Sequence, residues 1–136
     1  MEIFKHESIY WTIHYNTTLN CVNCRAKDNN DVPDEFFMSE MLLYADIVAQ
    51  YQAKCLMLNL QKNIYIVSPT VQEWVEREVG VKVIAAGQKY VAIILGEDFI
   101  ANLGTEQLME EGEIQKITTR YFSNENEAFS WLSQQP

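Results

Sequence analysis

Cys21-Val22-Asn23-Cys24 is the one short motif in this 136-residue chain whose residue types could do chemistry by themselves. A redox CxxC works when its first cysteine stands at a helix N-terminus, where the helix dipole lowers the thiol pKa. Here both cysteines fall within residues 19–26, which read as a strand, and positions three apart in a strand point to opposite faces. That placement disfavours a disulfide between them. Tetrahedral zinc would need four ligands, and Cys55, His6 and His14 are the remaining soft donors, with no second close pair. The expectation is that the cysteines are small buried side chains, the usual state of a free cysteine, and that the chain holds no metal and no cofactor.

Histidine and carboxylate chemistry have little more to work with. His6 and His14 are the only imidazoles, and neither has a nucleophile beside it in sequence. An enzyme would have to bring His14 to a cysteine from a distant segment; a hydrogen-bonded or solvated strand histidine is the plainer expectation. Glu73, Glu76 and Glu78 fall on the polar side of one helical stretch, and Glu106, Glu110, Glu111 and Glu113 on that of another, as solvated faces do. Gly96 and Gly104 belong to no GxGxxG, P-loop or GxSxG pattern, so nucleotide binding and serine-hydrolase chemistry lack their motifs. The chain reads as non-enzymatic.

Composition narrows the partners. With 10 Lys and Arg against 19 Asp and Glu, the net charge is −9, which argues against nucleic acid and against an anionic membrane surface. No apolar run is long enough to suggest membrane insertion. The opening Met1-Glu2-Ile3-Phe4-Lys5-His6-Glu7 is acidic and lacks the apolar stretch of a secretory signal. Three cysteines are poor material for a disulfide framework, so a soluble, reduced, cytoplasmic protein is expected. An apolar fraction of 48% suffices for a core, and no linker or repeat divides residues 1–136, so one domain is expected.

The elements that must position any site follow from periodicity. Ile9, Trp11, Ile13 and Tyr15 alternate with polar neighbours, Asn16-Thr17-Thr18 supplies a turn, and residues 19–26 resume as the second strand of a hairpin. Pro33-Asp34-Glu35 opens a helix whose apolar stripe runs through Phe37, Met41, Tyr44, Val48 and Tyr51. Residues 55–60 read as a central strand covered on both faces. Ser68-Pro69 caps a second helix with Val71, Trp74, Val75 and Val79 inward; Gly80 interrupts or ends it and Gly87 stops it. Residues 90–95 are another buried strand. A helix follows through Phe99, Ile100 and Leu103, with a restart at Thr105 and a stop near Gly112. Residues 117–122 alternate as a last strand, and Asn124 with Glu127 resembles a capping box before a closing helix with Ala128, Trp131 and Leu132 inward. Helices alternating with buried strands require crossovers, so the expected fold is α/β: a mixed sheet of about five strands with an N-terminal hairpin and about four helices.

In such sheets ligands gather where a central strand leads toward a helix N-terminus. That place is residues 59–70, with Asn59, Gln61, Lys62, Asn63, Tyr65, Ser68 and Thr70 as candidate binding or regulatory residues. An ordinary capped connection would use the same residue types.

Two stretches carry a family resemblance. Ser68-Pro69-Thr70-Val71-Gln72-Glu73-Trp74 follows a buried strand, and Thr119-Arg120-Tyr121-Phe122-Ser123-Asn124-Glu125-Asn126-Glu127-Ala128-Phe129-Ser130-Trp131-Leu132 closes the chain; Gly87-Gln88-Lys89-Tyr90-Val91-Ala92 lies between them. With this element order the chain resembles the STAS domain family, in particular its SpoIIAA-like branch, related to SEC14-type folds. The resemblance implies a regulatory module that binds a protein partner, a second copy of the chain among the candidates. In the anti-sigma-factor-antagonist members a Ser or Thr after the central strand is phosphorylated, altering a docking surface. Here Asn59-Leu60-Gln61-Lys62-Asn63 has neither, Ser68 and Thr70 come later, and Asn59 stands where many relatives have Asp. The SEC14-type kinship implies the alternative, a small-molecule or lipid-binding domain in which Met38, Met41 and Met57 help line a pocket.

Overall fold

Trp11, Ile13 and Tyr15 are buried while Thr12, His14 and Asn16 are only half-buried, so strand β2 (Trp11–Asn16) sends its large side chains to one side. It pairs antiparallel with β3 (Cys21–Ala26), as the hairpin pattern predicts. The computed structural model describes all residues 1–136 and places these strands in a six-stranded mixed sheet. After β3 come α1 (Asp34–Tyr51), β4 (Cys55–Asn59), α2 (Pro69–Val75), a π-helical turn (Glu76–Gly80), α3 (Val81–Ala85), β5 (Tyr90–Ile94), α4 (Phe99–Leu108), a 3-10 turn (Gly112–Lys116), β6 (Thr118–Phe122) and α5 (Glu125–Ser133). Strands β3, β4, β5 and β6 are parallel neighbours in chain order.

The additional strand, β1 (Glu2–Glu7), pairs antiparallel with β2 at the sheet edge. Sequence periodicity passes over it because a bulge between Phe4 and His6 breaks the alternation. Past the bulge Lys5 and His6 both reach α1: Lys5 Nζ donates to the Tyr51 hydroxyl at 2.8 Å, and His6 Nε2 lies 3.0 Å from the buried Glu40 carboxylate.

Three crossovers running in one direction across the sheet place their helices on one face. There α1, the 69–85 helix and Leu108 of α4 enclose Trp11, Ile13, Val22, Cys24, Leu56, Val91 and Ile93. The opposite face is covered only by α5, whose Ala128 and Leu132 pack on Cys21, Cys55, Met57, Ala92 and Ile94. The stripe of α1 is inward as predicted, with Phe37, Tyr44 and Val48 buried. No helix is long and apolar enough to cross a membrane.

Two helical expectations are refined. Gly80 does not end its helix but closes an interruption of it: α2 gives way to the π turn at Glu76–Gly80 and resumes as α3, and the missing side chain admits Ile114, whose Cγ1 would stand 2.7 Å from a Cβ. There is also no restart at Thr105. Residues 99–108 form one helix through Gly104, whose missing side chain lets the backbone of Val67 pack against it.

Candidate functional site

Asn59 ends β4, beside Arg25 at the end of β3 in the parallel register. A charged residue in a strand this buried must find counter-charge or lose its hydration uncompensated. Arg25 finds two. Its Nε and Nη2 donate to Glu125 at 2.9 and 3.1 Å, and Nη1 and Nη2 donate to Glu2 at 3.1 and 3.2 Å. Glu125 comes from the first turn of α5, where a carboxylate also faces the positive end of the helix dipole. Asn59 Nδ2 donates to the same carboxylate at 2.7 Å and to Gln61 Oε1 at 3.2 Å, and its Oδ1 accepts from the Gln61 backbone. Asn23 Nδ2 donates to Glu2 from beneath.

The electrostatics match this geometry. Hydrogen bonding to Arg25 lowers the Glu2 pKa below the usual carboxylate value. Burial would raise that of Glu125, but the hydrogen bonds from Arg25 and Asn59 outweigh it and the net shift is downward. Two carboxylates and one guanidinium leave the cluster with one net negative charge. Its donors and acceptors are largely spent on one another, so it serves as a clasp tying β1, β3, β4 and α5 together.

The seven predicted residues are therefore divided. Asn59 and Gln61 join the clasp. Lys62 is exposed, 3.6 Å from Asp28. Asn63 turns inward: its Oδ1 accepts from Asn30 at 2.8 Å and its Nδ2 donates to the Tyr65 carbonyl, while Asn30 Oδ1 accepts from the Ile64 backbone. Tyr65 is buried, stacked on Phe37 with its hydroxyl donating to Asp34, and burial with that carboxylate pushes its pKa up. Ser68 caps α2 by accepting from the Val71 backbone, with Pro69 in the first turn as predicted. Thr70 is exposed. Arg25, Glu2 and Glu125 escaped the sequence reading although one signal was present: Arg25 is the only charged residue inside an otherwise buried strand.

Cys21 and Cys24 do lie on opposite faces, as strand geometry requires. Cys21 instead stands directly opposite Cys55 on the neighbouring strand. All three thiols are fully buried; burial raises the pKa of Cys21 and Cys24, and a hydrogen bond from Cys21 lowers that of Cys55. Native protein mixed with Ellman's reagent at mildly alkaline pH should release almost no colour, and urea-unfolded protein should react at all three cysteines. A fast stoichiometric phase in the native state would mean that a thiol is open to solvent.

Two apolar features adjoin residues 60–67. Beneath them is a cavity of about 60 Å³ between the sheet and the helices, with Leu60, Asn63 and Val67 in its wall. Outside them is α4, which buries Ala101, Gly104, Thr105 and Leu108 but leaves Phe99, Ile100 and Leu103 exposed by 73%, 52% and 41%. Ile64 and Ile66 add exposed apolar surface on the connection itself, and Gly104 brings α4 against Val67, so helix and connection meet directly. Asp98 caps α4, and Asn102 ties it to Gly96 by accepting from that residue's N–H and donating to its carbonyl. Comparison of the chain with protein-family models, with curated proteins and with solved structures found no match.

Proposed function

We propose that this chain is a non-catalytic regulatory module that docks a basic, amphipathic segment of a partner protein on α4 and the 60–67 connection. The observation that carries this reading is the outward apolar surface of Phe99, Ile100 and Leu103, continued by Ile66, in a chain with ample core to bury such residues. Contiguous exposed apolar surface rimmed by polar groups is characteristic of interaction sites. The rim here is acidic: Glu97 and Asp98 precede the apolar residues and Glu106 and Glu110 follow. A net charge of −9 favours a basic partner and makes a second copy of this chain the poorer occupant, because it would set one acidic rim against another. The SpoIIAA-like kinship is kept as part of the proposal, supported by antiparallel strands that lead into parallel strands with alternating helices. A lipid ligand finds less support, since the cavity of about 60 Å³ falls well below the ~300–1,000 Å³ of ordinary ligand pockets.

A fluorescein-labelled amphipathic Leu/Lys helical peptide tests the reading by anisotropy titration. Ile100→Asp, which places a charge at the centre of the patch, should weaken binding at least about tenfold, or about 1.4 kcal/mol. Phe4→Ser, an exposed aromatic on the other face of the sheet, should leave binding unchanged. Equal loss in both variants, or none in either, would sink the docking site.

A further inference from the structure

The two edges of the sheet differ. β1 is distorted by the bulge between Phe4 and His6, a usual device for keeping an edge strand from pairing with another chain. β6 has no such device: it pairs with β5 in unbroken parallel register from Thr118 to Phe122 and contains neither proline nor lysine. No strand pairs with its outer side. The Thr118 N–H turns inward to the Lys89 carbonyl at 2.9 Å, so by strand alternation the backbone groups of Arg120 and Phe122 also face β5. Thr119 and Tyr121 then present their N–H and C=O groups at the open edge.

Both faces beside this edge are grooved, and alternate β6 residues line the two grooves. Thr119 and Tyr121 line one of about 330 Å³, together with Glu106 of α4 and with Met109 and Glu110 just beyond it. Burial and the Glu106 and Glu110 carboxylates raise the Tyr121 pKa. Neither carboxylate is paired with a cation in the protein. Arg120 and Phe122 line the other groove, of about 370 Å³, where the Arg120 guanidinium lies 5.7 Å from the ring centres of Phe122 and Trp131. One face therefore has room for cations, and the other offers aromatic surface with a cation already in place.

We propose that the β6 edge receives an extended segment of a partner protein as an added strand, with basic side chains at every second position beside Glu106 and Glu110 and apolar ones between them beside Phe122 and Trp131. Backbone hydrogen bonds to Thr119 and Tyr121 supply the attachment, and the two grooves supply the selectivity. A second copy of this chain fits worse, because edge-to-edge pairing about a two-fold axis would set Glu106 and Glu110 beside their own counterparts. The site goes beyond the docking of an amphipathic segment on α4. The two surfaces border on each other at Glu106 and Glu110, but one is a helix face and the other a strand edge.

The probe is a fluorescein-labelled Lys-Val-Lys-Val-Lys-Val-Lys peptide, titrated by anisotropy. Two counterparts carry backbone N-methyl groups, one on its lysines and one on its valines. A strand turns alternate N–H groups to opposite sides, so one set should abolish binding and the other should spare it. Thr119→Pro removes an outward N–H and leaves the ladder to β5 whole, and it should abolish binding. If that variant does not fold, the two methylated peptides decide the matter on wild-type protein. Joint Glu106→Gln and Glu110→Gln substitution should weaken binding about fivefold, the worth of two exposed ion pairs. Ile100→Asp should leave this peptide's affinity unchanged, and Thr119→Pro should leave that of the helical peptide unchanged, so the two readings fail separately. The proposal is overturned if the parent peptide does not bind, if the two methylated sets do not differ, or if folded Thr119→Pro or the double glutamine variant binds like wild type. Loss of binding in Ile100→Asp would overturn it too, as would a wild-type dimer in sedimentation that Thr119→Pro dissociates, which would give the edge to a second copy.

Discussion

Arg25→Met should destabilise the protein by about 2 kcal/mol and flatten the acid limb of its stability curve. Breaking a buried ion pair by removing one partner typically costs ~3–5 kcal/mol. The lower figure applies because the Arg25, Glu2 and Glu125 side chains keep 28%, 31% and 27% of their surface, and solvent screens what is exposed. Both carboxylates have folded-state pKa values lowered below the ordinary carboxylate value of 4.5. A lowered carboxylate pKa contributes stability that is present above the unfolded value and is lost as pH falls through the folded one. Wild-type urea midpoints should therefore fall as the solution is acidified from about pH 4.5 downward. In Arg25→Met the main source of the lowering is gone, with Asn23 left on Glu2 and Asn59 on Glu125, and the midpoint should change less over that window. Arg25→Lys should lie between, since one ammonium cannot make the two forked contacts of a guanidinium. Parallel acid limbs in wild type and Arg25→Met would show that the clasp does not set this pH dependence.

Gly96→Ala should cost about 3 kcal/mol, the upper end of typical overpacking penalties. A Cβ there would stand 2.5 Å from the Leu60 carbonyl oxygen and 2.6 Å from that of Gln61, and both are backbone atoms fixed by the end of β4. No side-chain rotation relieves the contact. For a chain of this length the loss corresponds to a fall of about 10 °C in thermal midpoint. Gly104→Ala is the internal control. Its Cβ would meet the Val67 oxygen at 3.0 Å, a milder conflict, and the position is inside a helix, where alanine is preferred to glycine by ~1 kcal/mol. The two effects oppose each other, so that midpoint should stay close to wild type. If Gly96→Ala melted like wild type, the connection would not be held as tightly against β5 as described. The same substitution should displace Gln61 and hence Asn59, so it also reports on the clasp.

Most of the fold could be read from local pattern, because its signals are local. The stripe of α1, the Ser68-Pro69 start of α2 and the Asn124 cap of α5 each depend on residues within a turn or two of one another. The errors arise where a long-range contact decides. β1 is defined by its pairing with β2 and by a bulge, not by its own alternation. Gly80 and Gly104 resemble helix breaks in sequence but serve the close approach of Ile114 and Val67, which arrive from other segments. The site divides in the same way. Asn59 and Gln61 could be singled out from the strand-to-helix connection, but their partner Glu125 lies 66 residues from Asn59 and 100 from Arg25. Asn63 and Tyr65 resembled ligand groups because a buried hydrogen-bonding hub uses the same side chains as a binding loop.

The strictly sequential order β1-β2-β3-β4-β5-β6 bears on how the chain is made. Each strand pairs with the strand synthesised just before it, so a chain leaving the ribosome can extend its sheet one unit at a time, with each crossover helix covering the newest strand. Only the two N-terminal hairpin turns are short; each parallel pairing closes a crossover of more than 20 residues, so it forms more slowly than the antiparallel pairs. One step has to wait until α5 has been synthesised. Until α5 is complete, the face formed by Cys21, Cys55, Met57, Ala92 and Ile94 has no cover and Arg25 lacks its second carboxylate. The nascent protein thus passes through an interval with a formed sheet and one bare apolar face, when a holdase chaperone would find it most readily, and the last helix ends that interval by capping the face and closing the Arg25 clasp in one movement.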